Sequence, residues 1–96
     1  MLAFLITVCI MTNDGQQPYC AMSAKTEVQT TANVEDCSRD AQEAADKILA
    51  GQEEEIAIRR GLAVGKCMQQ EELPEMIAGA RDYLLQGGFK VELTYY

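Results

Sequence analysis

The sequence predicts an α+β fold in a single compact domain, 1–96: a small, mainly antiparallel sheet built from an N-terminal hairpin and a C-terminal strand, with two or three helices packed on one face. Three patterns in the 96 residues predict it. Two alternating segments flank a turn sequence near the N-terminus, two stretches repeat apolar residues at intervals of three and four, and the last eight residues alternate again. The chain has one domain's length, and its 48% hydrophobic content is that of a folded globule.

Residues 2–11 put Leu2, Phe4, Ile6, Val8 and Ile10 on one face and Ala3, Leu5, Thr7, Cys9 and Met11 on the other. Both faces are largely apolar, which suits a strand in the middle of a sheet or one covered on both sides. The run is too short to span a bilayer and no Lys or Arg precedes it, so a strand is expected rather than a leader or an anchor. Asn13-Asp14-Gly15-Gln16 is a turn signal. In residues 18–28, Cys20, Met22, Ala24 and Val28 alternate with Tyr19, Ser23, Lys25 and Glu27. Pro18 selects the loop. A four-residue loop at 13–16 sets Pro18 opposite Met11 at a non-hydrogen-bonded site, whereas a two-residue loop puts the proline where a donor is needed. Either loop brings Cys9 opposite Cys20, and the longer one makes that a non-hydrogen-bonded pair.

Asn33 or Thr31 caps the next element, a helix whose stripe is Val34, Cys37, Ala41, Ala44, Ala45, Ile48 and Leu49, with Gly51 as its stop. Residues 52–69 give conflicting signals. Glu55 and Arg59 have the i,i+4 order of a helix, and Ile58, Leu62 and Met68 extend an apolar face. Residues 55–59 nevertheless alternate like a strand, and Gly61 and Gly65 weaken any helix. The balance predicts a second helix near 53–64 and then a loop. Pro74 opens a further helix, with Glu71, Glu72 and Glu75 at its positive end and Leu73, Met76, Ile77, Ala80, Tyr83 and Leu84 as its apolar face. Gly87-Gly88 ends it, and Phe89 to Tyr96 alternates as a half-buried strand.

Composition narrows function. Eight Lys and Arg stand against fifteen Asp and Glu, a net charge of −7, and there is no His and no Trp. The acidity argues against direct nucleic-acid binding. The missing His removes His-based acid/base chemistry, Ser-His and Cys-His pairs and the commonest zinc sets. Gly61-Leu62-Ala63-Val64-Gly65-Lys66-Cys67 falls one residue short of a phosphate loop and ends in Cys where a hydroxyl is needed. Asp36 and Asp40 share a helix face, but paired acids without a pocket or metal do not make a hydrolase. No enzyme, metal site or cofactor is therefore expected.

Charge is concentrated instead. Residues 33–55 carry Glu35, Asp36, Asp40, Glu43, Asp46, Glu53, Glu54 and Glu55 against Arg39 and Lys47, while 56–70 carry Arg59, Arg60 and Lys66 and no acid. Such a row is the solvated side of an amphipathic helix. It is also a ridge able to imitate the closely spaced charges of a duplex and dock on a basic surface. Internal salt bridges to Arg59, Arg60 and Lys66 would remove that possibility. Tyr95 and Tyr96 present one ring to the helices and one as a binding anchor.

Cys9, Cys20, Cys37 and Cys67 are never closer than eleven positions, so no metal knuckle forms. They fit buried thiols in a cytoplasmic protein, or two disulfides, Cys9–Cys20 and Cys37–Cys67, in an exported domain. A redox-active pair lacks any basic neighbour beside Cys9 or Cys20. The leading expectation is a cytoplasmic, non-catalytic binding protein whose partner is a basic nucleic-acid-handling protein. Its size, acidity and helix-plus-hairpin plan are those of many phage-encoded inhibitors, DNA mimics and anti-CRISPR proteins among them, although no motif ties it to a family. The alternatives are a small exported domain stapled by two disulfides, and a homodimeric assembly subunit that pairs through a strand edge.

Overall fold

The computed structural model describes residues 1–12, 17–28, 33–55 and 58–96, and side chains throughout these except at 12, 52–55 and 58–60. The elements run β1 (Leu2–Thr12), β2 (Tyr19–Val28), α1 (Val34–Glu55), β3 (Ile58–Gln69), a 3₁₀ turn (Gln70–Glu72), α2 (Leu73–Gln86) and β4 (Lys90–Tyr95). The four strands form one sheet in the order β3-β1-β2-β4. The fold class is α+β, with a small sheet that is antiparallel at two of its three pairings, and two helices among the described residues.

The hairpin register is the expected one, with Cys9 opposite Cys20 and Ile10 opposite Tyr19. The turn residues 13–16 themselves, and Thr31, lie outside the described residues. β1 is interior to the sheet and covered on both faces, which is why both of its faces are apolar. Ala3 and Leu5 pack with Met22, Ala24 and Met68 beneath Leu73 and Ile77 of α2. Ile6 and Val8 pack on the other side beneath Ala45 of α1.

The helices therefore lie on opposite faces of the sheet, where the sequence suggested a single face. Topology supplies the reason. β2 and β3 both run antiparallel to β1, and β4 runs parallel to β2, so β2, β3 and β4 share a direction. The chain crosses from β2 to the β3 edge through α1 and returns to the β4 edge through α2. Parallel crossovers keep one hand, and reversing the direction of travel while keeping that hand moves the helix to the other face.

The second departure is at 53–64, expected as a helix. α1 continues through Gly51 to Glu55, and β3 occupies Ile58–Gln69. Gly65 explains the strand. A Cβ there would stand 2.1 Å from the Ala41 carbonyl oxygen, so α1 lies on the bare backbone of β3. Small residues along the inner stripe, Cys37, Ala41 and Ala45, permit the same approach from the helix side. Glycine inside a strand commonly marks such a close backbone contact.

Element ends follow local chemistry. Asn33 caps α1, its Oδ1 accepting from the Asp36 N–H at 2.8 Å. At the end of α2, the Phe89 N–H donates to Leu84 O and the Gly88 N–H to Leu85 O, and Gly88 takes φ +88°. That is the paired arrangement of a Schellman stop, which requires a residue without a Cβ penalty at Gly88.

All four cysteines are bonded, Cys9 to Cys20 and Cys37 to Cys67. The first bridge joins the hairpin across a cross-strand pair with Cα atoms 4.0 Å apart, and the second ties α1 to β3. Of the three readings of the cysteines, the paired one is the structure's.

Candidate functional site: the acidic helix and the groove beside it

α1 is placed by its cap, its small inner stripe and a polar seam along β3. Gln42 donates through Nε2 to Ala63 O at 2.9 Å and accepts through Oε1 from the Gly65 N–H at 2.9 Å. Ser38 Oγ accepts from the Cys67 N–H at 3.0 Å. These backbone groups point outward from the sheet edge, so two side chains of α1 finish the ladder that another strand would otherwise continue. Edge pairing was one expected route to self-association; at β3 these backbone groups already have partners.

Glu35, Asp36, Asp40, Glu43 and Asp46 are all exposed on α1. Asp36 to Asp46 spans about 15 Å at the helical rise. They do not form one line. At 100° per residue, Asp36, Asp40 and Glu43 fall on the flank towards β2, with Lys47 among them, whereas Glu35 and Asp46 fall on the flank towards β3. Asp46 is engaged there, accepting from Gln42 Nε2 at 3.0 Å. The side chains of Glu53, Glu54 and Glu55, and those of Arg59 and Arg60, lie outside the described residues.

Among the described residues the single ion pair is Arg39–Asp36, 3.4 Å apart with both side chains well exposed. Such a pair contributes little. Lys66, one of the expected internal partners, is two residues from Met68 and so stands on the α2 face, away from the acids. Glu35, Asp40 and Glu43 have no cationic partner among the described residues.

α1 covers β3 and β1 but leaves the β2–β4 half of its face open. Between helix and sheet there is a pocket of about 300 Å³ lined by Phe4, Ile6, Val28, Ala44 and Tyr96, with Asp40 on its wall. A smaller depression continues along the helix over Ala21 and Ser23 to Ile48 and Tyr19. Tyr96 ends the groove, its ring 5.6 Å from that of Phe4 and tilted 57°. On the far bank Tyr19 donates its phenol hydrogen to the Glu92 carboxylate. That bond, then burial and then the Glu92 charge, raise the Tyr19 pKa above the ordinary phenol value; burial alone raises that of Tyr96.

The opposite face has its own groove, about 390 Å³, floored by Cys9 and Met11 and walled by Leu62, Leu84 and Phe89. Sequence reasoning missed Gln42, Ser38 and the Tyr19–Glu92 bond. A signal for the first two was present, since Ser38 and Gln42 follow Cys37 and Ala41 at the same four-residue interval, beside the buried stripe. No helix among the described residues is long and apolar enough to cross a membrane. The chain matches no protein-family model, no curated protein and no solved structure.

Proposed function

We propose that this is a non-catalytic binding protein that acts as an inhibitor, docking the carboxylates of α1 on the basic, nucleic-acid-handling surface of a partner protein. The observation that carries the reading is the exposure of Asp40 and Glu43 without a cationic partner among the described residues. Carboxylates held outward on a capped and bridged helix offer a fixed negative field, which steers a basic partner and selects against acidic ones. The test is capture of partners by the native protein and by the D40K/E43K variant. Partners of the native chain should elute between about 50 and 200 mM salt and be displaced by duplex DNA, and the variant should retain none. Asp46 is left intact because it positions Gln42.

A second reading has an observation of its own. The pairing of all four cysteines favours a small exported domain stapled by two disulfides, since such bonds persist in oxidising compartments. Mass measurement of the native protein without reductant decides it: a loss of four hydrogens supports two bonds, and four alkylatable thiols oppose them.

A further inference from the structure

We infer that the outer edge of β4 pairs antiparallel with β4 of a second copy of this chain, about a twofold axis at Leu93. The inference is independent of the acidic-docking reading. The sheet has two edges, β3 and β4. Ser38 and Gln42 finish the first, whereas the second is left as bare ladder. The Lys90 N–H donates to Pro18 O and the Tyr96 N–H to Ala24 O. In the parallel β2–β4 register the even-numbered residues of β4 therefore face β2. The N–H and C=O groups of Val91, Leu93 and Tyr95 point outward, and no partner meets them among the described residues. The strand has no proline and its pairing no bulge, two devices that commonly blunt an edge.

An extended strand satisfies such a row of donors and acceptors. β1 and β2 are interior and β3 is capped, so the strand a second copy can offer is β4. Its sequence selects the register. With Leu93 opposite its twin, Val91 stands opposite Tyr95, and every outward N–H and C=O of both strands is paired. Beside them Glu92 opposes Thr94 and Lys90 opposes Tyr96, so no like charges meet. An axis at Glu92 would oppose the two glutamates. An axis at Val91 or at Thr94 would carry Tyr95 or Val91, respectively, beyond the partner strand. The Tyr95 side chain, 58% exposed, then gains Val91 of the twin as a cross-strand neighbour. The axis stands perpendicular to the sheet, which puts both α2 helices on one face. Leu73 and Ile77 seat α2 over β1 and β2. β2 lies three strand spacings, about 14 Å, from its twin, more than the roughly 8–10 Å that packed helices need. The −7 on each copy opposes association, and salt screens it.

Light scattering and amide resonances of the native chain over a concentration series test the pairing. The mass should rise to that of a dimer, more readily at about 500 than at about 50 mM salt, the reverse of a partner held by carboxylates. Amide resonances of Val91, Leu93 and Tyr95 should move with concentration, and those of Gly65 and Cys67 at the other edge should not. Tyr95→Pro deletes an outward donor without touching the ladder to β2, and should leave a monomer. Thr94 is exposed. Thr94→Glu sets a like charge opposite Glu92 twice per dimer and should weaken it about tenfold, whereas Thr94→Lys should strengthen it. Ala50→Glu and Ala50→Lys, the same charge changes on the exposed side of α1, should each act less than about twofold. A chain still monomeric at about 1 mM and about 500 mM salt would overturn the inference. So would a dimer that leaves the three amides unmoved or survives Tyr95→Pro, and so would equal effects at Thr94 and Ala50. Movement of the three amides only on adding a captured partner would put a foreign strand on the edge and overturn the pairing of copies. None of these results bears on acidic docking, which D40K/E43K tests.

Discussion

A methyl group added at residue 65 would stand 2.1 Å from the Ala41 carbonyl oxygen and 2.6 Å from the Gln42 nitrogen, both backbone atoms that cannot swing aside. Gly65→Ala should therefore lift α1 from the sheet and cost about 3 kcal/mol, at the upper end of ordinary overpacking. Gly79 is the matched control. It lies within α2 with nothing within 4 Å of an added Cβ, so Gly79→Ala should stabilise by about 0.5–1 kcal/mol through helix propensity. Denaturant midpoints of the two variants check both signs. At Tyr19 the bond to Glu92 raises the phenol pKa in the fold. Its stabilisation is complete below the unfolded phenol's value near 10 and is lost as pH rises through the higher folded value. A phenolate absorbance titration should show Tyr19 ionising above about 10 in the native chain and nearer to 10 in Glu92→Gln.

Among the elements, the seam between α1 and β3 carries the largest consequence. Gln42→Leu removes the partners of Ala63 O and Gly65 N together. Leaving such groups unpaired costs about 1–3 kcal/mol, and it reopens an edge strand of twelve residues. The expected result is a lowered melting temperature with added concentration-dependent association in light scattering; an unchanged melting temperature and association state would contradict the seam. The same element separates what could be read from the sequence from what could not. The hairpin was legible down to its register, because Asn13-Asp14-Gly15-Gln16 marks the turn and a loop of two or four residues centred there gives the same pairing. α2 was legible because Pro74 and Gly87-Gly88 punctuate it. β3 was not, because its glycines have a tertiary cause, the backbone of α1 lying against Gly65 and the Leu49 side chain against Gly61, which no local pattern reports. The placing of the helices was illegible for a similar reason. It follows from the strand order, and each stripe alone reveals only that it is buried.

For the whole molecule, two bridges and one charge imbalance set the behaviour. Cys37–Cys67 closes a loop of 30 residues and Cys9–Cys20 one of 11. The chain-entropy relation assigns these about 3.5 and 3 kcal/mol, a large share of the stability of a small domain. Unfolding with and without reductant should show a loss of that order. Glu35, Asp36, Asp40, Glu43 and Asp46 were legible as exposed helix residues, but their division into two flanks was not, since the angular position of each acid matters only once the sheet beneath the helix is known. The measurement that tests the central claim most directly is the affinity of a captured partner for the native chain and for D40K/E43K, each at about 50 and 200 mM salt. The account predicts that the native complex weakens steeply with salt and that the charge reversal costs at least about tenfold at the lower concentration. An affinity indifferent to both salt and reversal would contradict it.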